Sequence, residues 1–212
     1  MIRRLILILT LTAFAAMAMA QPDFDHRPSP FAGRTYLTLS LFEEVRTELK
    51  TTADENTKID ALLEKMSGER QEAFGGANGD FEAIRAALDK INAKFDDEVV
   101  KILTPEQITR LKQLFIQFNG ATAITNPVIA KDLTITDDQK AKIKTVQADG
   151  AAKMRELFSN GPPEDGSKAL EKLQDETKAA LAKILTDDQR TKFKEMEGTK
   201  FEFKKVAAGG GR

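Results

Sequence analysis

The stretch FEAIRAALDKINAKFDDEVVKILTPEQ, residues 81–107, decides the fold. Phe81, Ile84, Leu88, Ile91, Phe95, Val99 and Ile102 follow one another at spacings of 3, 4, 3, 4, 4 and 3. That is the period of an α-helix with one apolar stripe, narrow enough to be the seam of an antiparallel partner. The preceding residues supply the partner. Ile59, Leu62, Leu63, Met66, Ala73 and Phe74 form the facing stripe, and the glycine-rich GGANGD (75–80) turns the chain between the two.

The letters that end the stretch, ILTPEQ (102–107), return as ILTDDQ (184–189). Physically they start a helix. Thr104 is a good N-cap, and Pro105 suits the first helical position, where a missing N–H and a fixed φ do no harm. Gln107 stands three residues after Thr104, so its side chain reaches back to the Thr104 N–H: a capping box. Leu103 before the cap packs on Ile108 as a hydrophobic staple. Thr186 and Gln189 repeat the box behind Leu185, with Asp187 and Asp188 at the positive helix end. Thr136 and Gln139 make a third copy, and Thr52 with Glu55 a fourth. On this reading Leu103, Thr104, Gln107, Thr136, Gln139, Leu185, Thr186 and Gln189 form helix starts and carry no catalysis.

The repetition extends beyond the boxes. TADENTKI (52–59) lies over TDDQKAKI (136–143) at an offset of 84, with Val45 on Ile129, Leu49 on Leu133 and Phe74 on Phe158. Two residues drop out where GGANGD meets SNGPPEDG (159–166), and the offset becomes 82. From there Leu88 meets Leu170, Ile91 meets Leu173, and Gln107 meets Gln189. We read this as an internal duplication. Each unit holds a short helix (40–50, 126–133), a long one (53–74, 137–158), a second long one (81–102, 167–184) and a final one (105–119, 187–197). Ile143, Val146, Met154, Leu157 and Phe158 face Leu170, Leu173, Leu181 and Ile184 in the second unit. Gly68 and Gly150 interrupt the first long helix of each unit, which marks a bend or a close helix contact. The expected fold is all-α, with no sheet: helical unit 1 over 37–120 and helical unit 2 over 121–198.

The ends read differently. Residues 1–20 have a basic start at Arg3 and Arg4, an apolar run and an Ala18-Met19-Ala20 cleavage site, the pattern of a Sec-type signal peptide. Its run is too short for a comfortable membrane span. The expected location is therefore periplasmic or secreted. A Pro-rich arm over 21–36 and an extended, loose tail over 199–212 frame the units. Within that tail Phe201 and Phe203 alternate with Glu202, and both rings are expected to lie on a helical surface.

Loss of the signal segment leaves 30 Lys and Arg against 33 Asp and Glu, which gives no footprint for nucleic acid. The chain has no cysteine and one histidine, His26, in the arm. Disulfides, thiolate metal sites and nucleophile–histidine triads are thereby excluded from the helical units, as are the Glu-x-x-His pairs of a di-iron bundle. No catalytic residue, metal site or cofactor is expected. The lysines at 140, 142, 144, 192 and 194 read as solvated helix faces.

LTPEQ (103–107), LTDDQ (185–189) and the longer LTITDDQ (133–139) resemble the signature of the LTxxQ family, the Spy/CpxP-like periplasmic proteins. The two-unit layout is most similar to the tandem form in planctomycete-type bacteria. The resemblance covers about residues 38–198. It implies a small all-helical exported protein that is not an enzyme and binds unfolded clients or stress-signalling partners. It also implies either a homodimer or an intramolecular pseudo-dimer of the two units, since family chaperones pair two chains into a cradle. The basic concave face of those chaperones has no counterpart in this slightly acidic composition. A metal-responsive sensor or regulator and a structural cell-envelope protein are the alternative readings.

Overall fold

The structure, a computed structural model, describes residues 34–76, 80–159 and 166–204. The signal segment, nearly all of the arm with His26, and residues 205–212 lie outside the described residues. Among the described residues the chain is helical and has no strand. The order is α1 (Tyr36–Leu39), α2 (Glu43–Leu49), α3 (Ala53–Gly76), α4 (Phe81–Val99), α5 (Pro105–Asn119), a 3-10 helix (Gly120–Thr125), α6 (Pro127–Asp132), α7 (Asp137–Ser159), α8 (Gly166–Ala182) and α9 (Asp187–Met196).

The helical bounds differ from the sequence reading where the chain changes direction. The arm ends earlier than residue 36: Thr35 caps α1, and Tyr36, first residue of that helix, is 1% exposed. The short helix expected over 40–50 is α2, and a further short helix, α1, precedes it; the two are parted where the Ser40 hydroxyl donates to the Leu37 carbonyl at 2.6 Å and Phe42 turns extended. Serine competes for the helix's own carbonyls in this way. α4 stops at Val99 rather than 102, and the chain tightens through Lys101 N–H to Glu98 O and Ile102 N–H to Val99 O before reaching the Thr104 cap. The second unit ends α8 similarly, with Ile184 N–H on Leu181 O.

α3 packs against α4, and α7 against α8, as two helical hairpins. Burial fades along each. Ile59, Met66, Phe95 and Val99 are buried near the base of the first hairpin, while Leu88, Ile84 and Ala73 nearer the turn are only half-buried. Ile143, Leu181 and Leu185 play the same part in the second. These bases, with α1, α2, α5, α6 and the 3-10 helix, contribute to one hydrophobic cluster. The two halves thus share a core rather than building one each. The link between them explains why: Ala123 and Ile124 of the 3-10 helix are fully buried, and this helix packs on α5, α6 and α8.

The two mid-helix glycines differ. A side chain at Gly150 would stand 3.4 Å from the Thr177 hydroxyl of α8, a close helix contact. Gly68 has open space beside it, so the expected contact is absent there. The helix runs through both positions, and at Gly68 the residue is simply a weak helix former on an exposed face.

Candidate functional site

All four capping boxes form. Thr104 N–H donates to Gln107 Oε1 at 2.8 Å, and Gln107 N–H to the Thr104 hydroxyl at 3.3 Å. Thr186 with Gln189, Thr136 with Gln139 and Thr52 with Glu55 make the same reciprocal pair. Leu103 and Leu185, the residues before two of the caps, are buried. A fifth box, Thr35 with Thr38, starts α1.

What the sequence does not reveal is that the boxes meet in pairs. Gln139 Nε2 donates to Gln189 Oε1 at 2.6 Å and to the Ile184 carbonyl at 2.9 Å. Gln189 Nε2 donates back to Gln139 Oε1 at 3.1 Å and to the Leu133 carbonyl at 3.2 Å. The two side-chain amides therefore tie together the starts of α7 and α9, the end of α6 and the turn after α8. In the first half Gln107 Nε2 reaches the Leu49 carbonyl and Glu55 Oε2, each at 3.2 Å. Glu55 has no proton to donate, so it returns nothing to Gln107; instead its carboxyl is held below the ordinary range, first by the Thr52 N–H and then by Gln107. Lys50 and Thr134, which follow the two captured leucine carbonyls, both adopt left-handed φ, at 54° and 55°. Thr51 N–H then bonds Arg46 O, and Ile135 N–H bonds Ala130 O, the helix-ending pattern of a Schellman turn. The LTxxQ letters thus do more than cap one helix: each glutamine also clamps a neighbouring chain end.

Sequence reasoning missed a buried carboxylate. Asp96 of α4 is 7% exposed and accepts from Leu37 N–H at 3.3 Å and from Asn126 Nδ2 at 3.2 Å. Asn126 in turn caps α6 through its Oδ1, which accepts from Val128 N–H at 2.9 Å. Asp96 therefore joins the start of α1 to the start of α6 across the core. Its position beside Phe95 at the edge of the apolar stripe was the available signal. Burial pushes its carboxyl up to about 7, against the pull of these N–H donors. Above it, the Tyr36 ring meets Phe115 edge-on at 4.9 Å, and the Tyr36 hydroxyl has no hydrogen-bond partner among the described residues.

A pH dependence follows. The folded chain holds the Asp96 proton up to about pH 7, while the unfolded chain releases it near the ordinary 3.8. Between those values the folded state binds more protons, so its stability falls as pH rises, then levels off above 7. The groups held low, Glu55, Asp137 and Glu176, lose their contributions only in more acid solution. Urea unfolding should therefore give a free energy about 2 kcal/mol lower at pH 8.5 than at pH 5.5. Asp96→Asn should abolish the slope; an unchanged slope in that variant would place the titrating group elsewhere.

The acidic pairs have structural partners. Asp137 pairs with Lys140 at 2.8 Å, and Asp187 with Arg190. Lys194 pairs with Glu197, and Lys192 donates to the Asp132 carbonyl. Among the described residues no group of three or more His, Asp or Glu stands together as a metal site, and no helix is long and apolar enough to cross a membrane. Two shallow grooves of about 320 and 220 Å³ run along α7 and α8, both lined by Leu173, Lys153 and Glu176.

Two apolar features face solvent. Phe74 and Phe158, at equivalent positions near the turns of the two hairpins, are 47% and 42% exposed. The second feature lies on α5. The described part of the tail, 199–204, is not loose: it is extended and held against that helix. Gln117 Nε2 donates to the Glu197 and Thr199 carbonyls at 2.6 and 2.9 Å, and its Oε1 accepts from Phe201 N–H at 2.8 Å. Arg110 donates to the Thr199 carbonyl at 2.8 Å. The rings of Phe201, Phe203, Phe118 and Phe42 stack in sequence at 4.9, 5.1 and 5.3 Å. Gly198, at φ 62°, makes the turn from α9, where any side chain would overlap Gln113.

Comparison of this chain with protein-family models, curated proteins and solved structures finds no match.

Proposed function

We propose that the chain is an exported, non-enzymatic protein of the LTxxQ (Spy/CpxP) type that binds unfolded or stress-signalling protein partners in the periplasm. The observation that carries this reading is the pair of solvent-facing phenylalanines, Phe74 and Phe158, repeated at one offset on two hairpins. Each ring stands about half-exposed near the turn of its own hairpin, where an aromatic side chain can anchor an apolar segment of a partner. The resemblance of the capping letters supplies the class, and the basic start and cleavage site of residues 1–20 supply the location.

The test is light scattering with an aggregating client at equimolar protein. The wild-type chain should suppress aggregation. Phe74→Ser with Phe158→Ser should lose most of that suppression while its urea midpoint stays where it was. No suppression by the wild type would sink the client-binding reading.

A further inference from the structure

The α5 surface that holds residues 199–204 has the makings of a peptide site. Gln117 bonds two backbone groups of this segment, donating to the Thr199 carbonyl and accepting the Phe201 N–H, and also donates to the Glu197 carbonyl at the end of α9, before the Gly198 turn. Arg110 secures the Thr199 carbonyl, and Glu48 fixes its guanidinium by an ion pair at 2.7 Å. These contacts address main-chain atoms only, so they are blind to sequence. Selectivity is left to the rings: Phe118, with Phe42 packed on its other side, meets the ring of Phe203 edge-on, and Phe201, two positions earlier in the chain, packs edge-on against Phe203. An extended strand projects such residues to one side at a constant spacing. Even with the tail in place Phe118 stays 36% exposed and the neighbouring Leu41 41%, so the apolar platform is larger than its present occupant.

We propose that this surface is a binding site for extended segments with two aromatic residues one residue apart, and that Phe201-Glu202-Phe203 fills it in cis. The outside occupant is an unfolded client segment of that pattern, which displaces the tail; this part rests on the client-binding reading above. Tethering gives the tail a high effective concentration, so the site in the intact chain is attenuated rather than closed.

The test uses the full chain with Phe201→Ser and Phe203→Ser and a fluorescent peptide Thr-Lys-Phe-Glu-Phe-Lys. This variant should bind the peptide roughly tenfold or more tightly than the wild type does, because the competing rings are gone. Gln117→Ala in the same background should weaken binding, and Thr-Lys-Ser-Glu-Ser-Lys should not bind. A second peptide, Ser-Gln-Phe-Ser-Phe-Gln, should bind as well as the first. Binding of the native tail sequence alone would overturn the client assignment, and binding of neither peptide would overturn the site. On the unaltered chain, excess peptide should speed amide exchange at Phe201; unchanged exchange under saturating peptide would also overturn it. Loss of client suppression in the Phe74 and Phe158 variant reports on the hairpins alone, so the two readings fail separately.

Discussion

Phe95→Ala should lower the unfolding free energy by about 3–5 kcal/mol, a large share of the roughly 5–15 kcal/mol expected of a whole domain. Phe95 is fully buried where the base of the first hairpin meets the shared core. Its ring is capped by Lys94, whose Nζ lies 5.1 Å from the centroid, and by Lys65 at 6.0 Å, so the lysine stems close the site over it. Truncation leaves a cavity that rigid neighbours on α1 and α3 cannot fill. Phe74→Ala is the matched control. It removes the same ring from the same hairpin, but from a position 47% exposed, and should cost no more than about 0.5 kcal/mol. Urea unfolding of both variants checks the pair. A loss below about 1.5 kcal/mol for Phe95→Ala, small beside a cavity in a rigid core, would mean that the hairpin base does not carry the fold.

The contrast between those two phenylalanines shows what a one-dimensional reading captures. Both belong to the stripes that made the helices legible, because helical period depends on residues three and four apart. Burial along the stripe depends on what packs against it, and only the bases meet α1, α5 and the 3-10 helix. The capping boxes were legible for the same local reason: their donors and acceptors lie three residues apart. Their pairing was not, since Gln139 and Gln189 are separated by 50 residues. Asp96 was equally hidden, because its partners Leu37 and Asn126 come from 59 and 30 residues away. The alternation of Phe201 and Phe203 points to a helical surface beneath the rings, but nothing within residues 199–204 announces that Gln117 and Phe118, more than 80 residues upstream, supply it. Phe74 and Phe158 fall 84 residues apart in the sequence register, but their exposure had to come from the structure.

Gln139→Ala should cost about 3 kcal/mol, more than an ordinary capping substitution. Gln139 is 8% exposed, and its amide serves three partners at once. Its loss leaves the Thr136 N–H without its acceptor, the Ile184 carbonyl without its donor, and the Gln189 amide with an empty side. Gln139 is buried but the groups it leaves are partly exposed, so the cost is that of three lost bonds together with partial desolvation of their partners. Gln189→Ala should be destabilising for the same reason at Leu133 and Thr186. The double variant should be less damaging than the two singles added together, with a coupling of about 1–2 kcal/mol, because the amide-to-amide bonds can be lost only once. Gln107→Ala offers the comparison within the chain. Glu55 only accepts from Gln107, and its carboxylate regains water when that amide leaves, so the first lock should weaken by about 1–2 kcal/mol, less than the second. Thermal unfolding of the four variants decides the matter. Strict additivity at Gln139 and Gln189 would reduce the boxes to independent helix starts and remove the clamp that their meeting provides.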